Sequence, residues 1–169
     1  TRRSSNLVNS ALSCSPGSNK LHAVYFIDLD NFKTINDTLG HDYGDYLLTQ
    51  TAERLISMTS SDDVLARAGG DEFLLLRENI DTQTDATDFA AGVIAAFKKP
   101  FNLHGEIAYV SLSIGIALYP KNGTTAKALI KNADIAMYKS KDTGKNKFTL
   151  FDMRMEAELN RNTVIIEVL

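Results

Sequence analysis

The sequence predicts an α/β domain: a mixed central sheet flanked by helices. Three observations carry that expectation. Apolar runs of strand length alternate along the chain with segments whose apolar residues recur at helical spacing. The tetrad Gly69-Gly70-Asp71-Glu72 separates two such runs and reads as a hairpin turn, which requires antiparallel pairing. The run at 23–27 is apolar at every position, as in a strand covered on both faces. With 169 residues, 44% apolar and 23% charged, the chain is long enough for one domain with its own core and too apolar to be disordered.

Taken in order, Leu7, Val8, Ala11 and Leu12 have helical spacing ahead of a turn-rich stretch at 13–19. The strand at 23–27 ends abruptly on Asp28 and Asp30, so their carboxylates emerge at its C-terminal edge. Leu47, Leu48, Thr51, Leu55 and Met58 form a helical stripe, after a polar stretch with glycines at 40 and 44. Residues 64–68 and 73–76 are the arms of the hairpin, and 85–97 fits a helix. From Val110 to Leu118 bulky residues alternate with Ser111, Ser113, Gly115 and Ala117, giving a strand with one wide face and one close-approach face. Leu129, Ala133, Ala136 and Met137 mark a helix that should end near Gly144. Residues 147–151 read as a last strand, and 154–169 as helix turning strand-like at its end.

Composition narrows the function classes. Cys14 is the single cysteine, which excludes a disulfide framework and a zinc–thiolate cluster. Eighteen basic and 21 acidic side chains give a net charge of −3, arguing against a nucleic-acid coat but not against one phosphorylated ligand. Without a long apolar run or a signal segment, the expectation is a soluble, cytoplasmic domain, with any membrane anchor lying outside this segment. Thr1 reads as a cut into a longer protein.

The stretch 28–37, DLDNFKTIND, gathers acids and one lysine where a buried strand feeds a helix. Such an edge offers carboxylates to a hard cation and free backbone N–H groups to phosphate oxygens. The competing reading is a solvated loop in which Asp30 or Asn31 caps the next helix. The turn Gly69-Gly70-Asp71-Glu72 has rigid apolar strands behind it. If those strands lie beside 23–27, Asp71 approaches Asp28, and a divalent cation between them would stabilise both carboxylates. Lys139 is explained by the helix dipole. Lys141 and Lys145 become phosphate ligands only if the fold brings them to the rim that holds Asp28.

These blocks together resemble the GGDEF family of bacterial diguanylate cyclase domains. The resemblance runs from about Leu21 to Phe151 through DLDNFKTINDTLGHDYGD (28–45), RAGGDEF (67–73), SLSIGIALYP (111–120) and NADIAMYKSKDTGKN (132–146). It implies a βααββαβ core like that of nucleotide cyclases and the polymerase palm. The implied reaction joins two GTP into cyclic di-GMP and releases two pyrophosphates, by metal-assisted 3′-hydroxyl attack at a homodimer interface. Position by position, it implies Asp28, Asp71 and the Leu29 carbonyl as ligands of Mg²⁺ or Mn²⁺. Asn31, Phe32 and Lys33 would line the terminal phosphates, with Lys141 and Lys145 adding charge, the latter where the family more often has arginine. Asn36 and Asp45 would meet guanine, whose adjacent N1–H and N2–H₂ donors a carboxylate can accept together. Glu72 would lie near the metal and ribose, either activating the 3′-hydroxyl or tuning the metal. Gly69 and Gly70 are structural.

The resemblance further implies residues 21–152 as the GGDEF domain, 1–20 as a truncated helix or linker, and 153–169 as a linker helix toward a following domain. That neighbour would be an EAL phosphodiesterase, with sensory domains elsewhere, and no nucleic-acid partner. The rival functions are a GTP-binding regulator of such a phosphodiesterase and a pure interaction scaffold. One departure stands out. The family's inhibitory Arg-x-x-Asp product site is incomplete here, with Ser60 in place of the arginine and Asp63 retained. His41 reads as a structuring residue rather than a general base, and Asp37 as a helix organiser. His22 and His104 read as surface or strand-end residues, and Arg67 as the partner of an acid that braces the hairpin. Cys14 has no thiol-chemistry context.

Overall fold

The computed structural model describes residues 6, 8–10 and 19–168. Its elements are β1 (Leu21–Leu29), α1 (Phe32–Leu39), α2 (His41–Ile56), β2 (Val64–Gly69), β3 (Glu72–Ile80), α3 (Gln83–Ala96), β4 (Phe101–Leu103), β5 (Glu106–Ala108), β6 (Leu112–Tyr119), α4 (Ala126–Asp142), β7 (Lys147–Leu150) and α5 (Met153–Val168). Asn6 and 8–10 are helical; Leu7, Ala11, Leu12, Cys14 and the turn at 13–18 lie outside the described residues.

The five-stranded sheet has the order β2-β3-β1-β6-β7. β1 pairs antiparallel with both β3 and β6, and β6 pairs parallel with β7, so the sheet is mixed as expected. Two neighbours explain why the all-apolar run becomes the central strand. Ala23, Tyr25, Ile27 and Leu29 face a core shared with Leu47, Leu55, Val93 and Ile116, while Val24 and Phe26 face Leu129, Ala133 and Met137. The Tyr25 hydroxyl keeps its polar end satisfied by donating to the Ala86 carbonyl at 2.9 Å.

The small-residue face of β6 does what its alternation predicts. A Cβ on Gly115 would lie 1.9 Å from the Ala133 carbonyl oxygen and 2.2 Å from the Met137 nitrogen, so the α4 backbone rests directly on this strand. That approach carries the last turn of α4, with Lys141, to the ends of β1 and β6. α3 begins with a capping box, the Thr82 and Asp85 side chains each accepting from the other's backbone N–H.

The structure differs from the sequence reading at two elements, the 101–108 segment and the end of the chain. Residues 101–108 form the small β4–β5 hairpin, whose three-residue strands are too short to show a period. Phe32–Leu39 is the helix that the strand end feeds; Phe32, Ile35 and Leu39 pack against the main core, although no residue of it is fully buried. The end of the chain stays helical through Val168 instead of turning strand-like. The β-branched residues there lower helix propensity by only tenths of a kcal/mol each, roughly, which a helix already under way tolerates. α5 lies along α4 through the pairs Lys131–Glu156 at 2.5 Å and Lys139–Glu158 at 3.0 Å. Among the described residues no helix is long and apolar enough to cross a membrane.

Candidate active site

The hairpin turn and the end of β1 meet, which is the condition under which Asp71 approaches Asp28. Asp28 sits opposite Glu72 on β3 and opposite Ser113 on β6, and the Leu29 N–H donates to the Asp71 carbonyl at 3.2 Å. Gly70, at φ 44°, supplies the left-handed turn conformation. Arg67 does brace this turn, but through a carbonyl rather than an acid: its Nε donates to Gly70 O at 2.8 Å. A guanidinium fork satisfies a nearby backbone acceptor as well as a carboxylate.

Asp28 Oδ2 lies 3.2 Å from Lys141 Nζ, while Oδ1 is buried and has no hydrogen-bond partner. Burial pushes the Asp28 carboxyl above the usual range; Lys141 opposes the shift and neighbouring Asp71 adds to it. Burial likewise raises Glu72, helped by Asp134 and Asp71 and opposed by Lys141. Asp134 on α4, itself raised by burial, is a member of this acidic group that sequence reasoning missed. Among the described residues no three His, Cys, Asp or Glu side chains form a ready metal cluster. The residues nonetheless fit a divalent cation: a half-buried carboxylate with a buried, unused oxygen, a second carboxylate beside it and a backbone carbonyl at the same edge.

Asp30 has a different place from the cap considered above. Asn31 is the N-cap of α1, in the left-handed region at φ 58° and with no side-chain capping bond. Asp30 is buried at 4% exposure and accepts from Ser111 Oγ and Ser113 Oγ, each at 2.6 Å, and from the Asn146 N–H at 3.0 Å. Lys141 Nζ donates to it at 2.9 Å and to the Leu29 carbonyl at 3.1 Å. Burial works against its charge, yet these hydrogen bonds hold the Asp30 carboxyl below the usual range. Burial also disfavours the Lys141 charge, but Asp30 and Asp28 outweigh it and raise the amine. Lys145 reaches the same rim, donating to Asn31 Oδ1 at 2.8 Å. The fold thus brings Asp28, Lys141 and Lys145 to one edge.

The remaining candidates line the other side of the hairpin. Lys33 is exposed in the first turn of α1. The Asn36 Oδ1 is buried without a partner, and a Cβ on Gly44 would lie 1.8 Å from it and 3.1 Å from Phe32 Cζ. Gly44 therefore keeps open the space in which Asn36 stands. Asp45 is exposed at the lip of an open groove of about 570 Å³, lined also by Leu48, Thr49, Arg67 and Phe73. His41 opens α2, in keeping with a structuring role. His104 lies in the β4–β5 turn, stacked 4.1 Å from Tyr46. His22 is not a surface residue: it is 1% exposed, accepts from the Asn79 N–H through Nδ1 at 3.2 Å and packs 5.4 Å from Tyr119. Its place on a doubly paired strand buries it. Asp63 is not alone either. Arg77 Nε lies 3.3 Å away, and the Ser60 N–H donates to Asp63 at 3.0 Å. The Arg77 guanidinium also covers the Phe89 ring at 4.2 Å.

Comparison with known proteins agrees with this arrangement. The family described as "Diguanylate cyclase, GGDEF domain" matches residues 2–147. The chain is 44% identical over 135 residues to MucR of Pseudomonas aeruginosa, a bifunctional diguanylate cyclase/cyclic di-GMP phosphodiesterase, covering 80% of this chain and 20% of MucR. It is 42% identical over 137 residues to PdeR of Escherichia coli, a cyclic di-GMP phosphodiesterase, covering 81% of this chain and 20% of PdeR. The solved GGDEF domain of TpbB from Pseudomonas aeruginosa superposes with a TM-score of 0.89 at 37% identity, covering 92% of this chain and 91% of that one. The chain belongs to the GGDEF domain family. It spans about a fifth of the length of MucR and PdeR.

Proposed function

We propose that this domain is a diguanylate cyclase, condensing two GTP into cyclic di-GMP with release of two pyrophosphates and using Mg²⁺ or Mn²⁺. The observation that carries this reading is the meeting of Asp28, with its unpartnered oxygen, the Asp71 turn and the Lys141 ammonium at one sheet edge. Asp28, Asp71 and the Leu29 carbonyl would hold the cation, which when bound lowers the pKa of the attacking 3′-hydroxyl and cancels phosphate charge. Asn31, Phe32 and Lys33 receive the terminal phosphates at the start of α1, and Lys141 and Lys145 add positive charge across the rim. Asp45 accepts from N1–H and N2–H₂ of guanine, and Asn36 contacts the same edge. Glu72, opposite Asp28 on the neighbouring strand, would either take the proton of the 3′-hydroxyl or tune the metal. One domain holds one GTP, so in-line attack requires a second copy facing the first.

Residues 21–152 form the cyclase unit in this reading. Residues 1–20 and 153–169 serve as linkers toward sensory and EAL phosphodiesterase domains, in line with the greater length of MucR and PdeR. The test is conversion of GTP to cyclic di-GMP with Mg²⁺ over a protein concentration series. The specific rate should rise with concentration, because the reacting unit is a dimer. Binding of a non-hydrolysable GTP analogue without product, even in a preparation forced to dimerise, would instead establish a GTP-binding regulator of an attached phosphodiesterase. The likeness to PdeR favours that second reading over a scaffold.

A further inference from the structure

The structure distinguishes two aspartates that stand two residues apart in sequence. Asp28 keeps a buried oxygen unused, whereas both oxygens of Asp30 are committed: Oδ1 to Ser113 Oγ and Lys141, Oδ2 to Ser111 Oγ and the Asn146 N–H. An ammonium has three N–H donors. Lys141 points them at Asp28 Oδ2, the Leu29 carbonyl and Asp30 Oδ1, at 3.2, 3.1 and 2.9 Å. The first two acceptors are those assigned above to a divalent cation.

We propose that Asp30 is a positioning residue that acts through Lys141, tethering its ammonium at the phosphate rim so that a divalent cation can take Asp28 and the Leu29 carbonyl without expelling the lysine. The inference rests on the cyclase reading for its purpose and on geometry for its mechanism. Before the cation arrives, the ammonium neutralises Asp28. Once those two acceptors are taken, two of its three donors become free for phosphate oxygens. A long lysine stem has many rotamers to regain, so an ammonium repelled by a neighbouring cation and held by nothing would swing into water. Asp30 prevents this because it cannot leave: its carboxylate is fixed from β6 on one side and from the 142–146 turn on the other. Through the Asn146 N–H it also fixes that turn, where Lys145 and Asn146 adopt φ of 61° and 50°.

Two measurements on the wild type, Asp30→Asn, Lys141→Met and the double variant test this. The first is the rate at which an amine-acylating reagent modifies Lys141 in the metal-free protein, read by peptide mass spectrometry. It should rise about tenfold or more in Asp30→Asn while the far-UV circular dichroism stays native. The second is the affinity for a non-hydrolysable GTP analogue with Mg²⁺. Each single variant should lose about tenfold, and the double should lose no more than about twofold beyond Lys141→Met, because residues acting through one contact are not additive. Unchanged Lys141 labelling in folded Asp30→Asn, or losses that multiply in the double variant, would overturn the tether. Should Asp30→Asn not fold, Ser113→Ala removes one anchor of Asp30 and should raise Lys141 labelling by a smaller factor; no rise would count against the tether. A wild type that binds no analogue would defeat the cyclase reading, and the labelling result would still decide the tether.

Discussion

The two halves of the candidate site are built on opposite physical plans. At the end proposed for the phosphates, Asp28, Lys141, Asp30 and Asn146 are already joined by polar contacts, Lys145 is paired with Asn31, and the central carboxylate is buried at 4% exposure. At the end proposed for the base, Asp45 stands exposed beside an open groove, and Asn36 holds a buried oxygen with no partner. The first plan sets charges in place before the ligand arrives, so little reorganisation accompanies binding. The second holds acceptors that a bound base would remove from water, so a ligand with the wrong donors leaves them unsatisfied and is rejected. Affinity for triphosphate and choice of base should therefore be separable by mutation.

The largest effect is expected at the charged end. Asp71→Ala should cut cyclase turnover by about 100-fold or more, as loss of a few kcal/mol of charge stabilisation implies, with a native far-UV spectrum. Asp28→Asn should behave similarly, because an amide coordinates but does not neutralise. Normal turnover in folded Asp71→Ala would remove the metal assignment.

At the base end the change should be one of selectivity. Where the bound base desolvates the groove, Asp45→Ala should weaken GTP relative to ATP by roughly 1–3 kcal/mol in competition titrations. Gly44→Ala should give the same signature without touching the nucleotide, since the added Cβ meets Asn36. An equal, small effect on both nucleotides would make this end structural.

Control should be weaker than either. With Asp63 paired to Arg77 Nε and the Ser60 N–H, the Ser60–Asp63 corner lacks an arginine at position 60 to take cyclic di-GMP. Product binding measured with the active site saturated by a GTP analogue should therefore vanish. Tight residual binding that disappears in Asp63→Ala would show that another cation completes the site.

The smallest effect belongs to the far end of β1. Burial lowers the pKa of His22 from its ordinary value of 6.5, with Glu78 opposing. The unfolded chain then binds the extra proton more readily, so this stabilisation is present above that ordinary value and is lost as the pH falls through the folded one. His22→Gln, which keeps an acceptor for Asn79, should lose less stability than the wild type between pH 7.5 and 5.5 in urea titrations. Parallel curves would assign the acid sensitivity elsewhere.

Much of this architecture is legible in the chain because it is local. The apolar run ending at Asp28, the turn at Gly69-Gly70 and the small face around Gly115 each announce their geometry within a few residues. What escaped is what depends on distant partners. Asp30 reads locally as a cap because Ser111, Ser113, Lys141 and Asn146, which bury it, come from other elements. Arg77 as the partner of Asp63, and Asp134 as a neighbour of Glu72, are invisible for the same reason. The β4–β5 hairpin is too short to carry a period, and His22 is buried by two flanking strands rather than by its own sequence. The proposed site roles rest on resemblance, since spacing alone leaves a solvated loop as a competing reading of 28–37.

The measurement that bears most directly on the two-plan account is a crystal structure with a non-hydrolysable GTP analogue and Mg²⁺. The account predicts the cation on Asp28, Asp71 and the Leu29 carbonyl, the terminal phosphates at the start of α1 with Lys141 still bound to Asp30, and the guanine edge on Asn36 and Asp45. A nucleotide seated elsewhere, or a base that leaves both Asn36 and Asp45 unpaired, would contradict it.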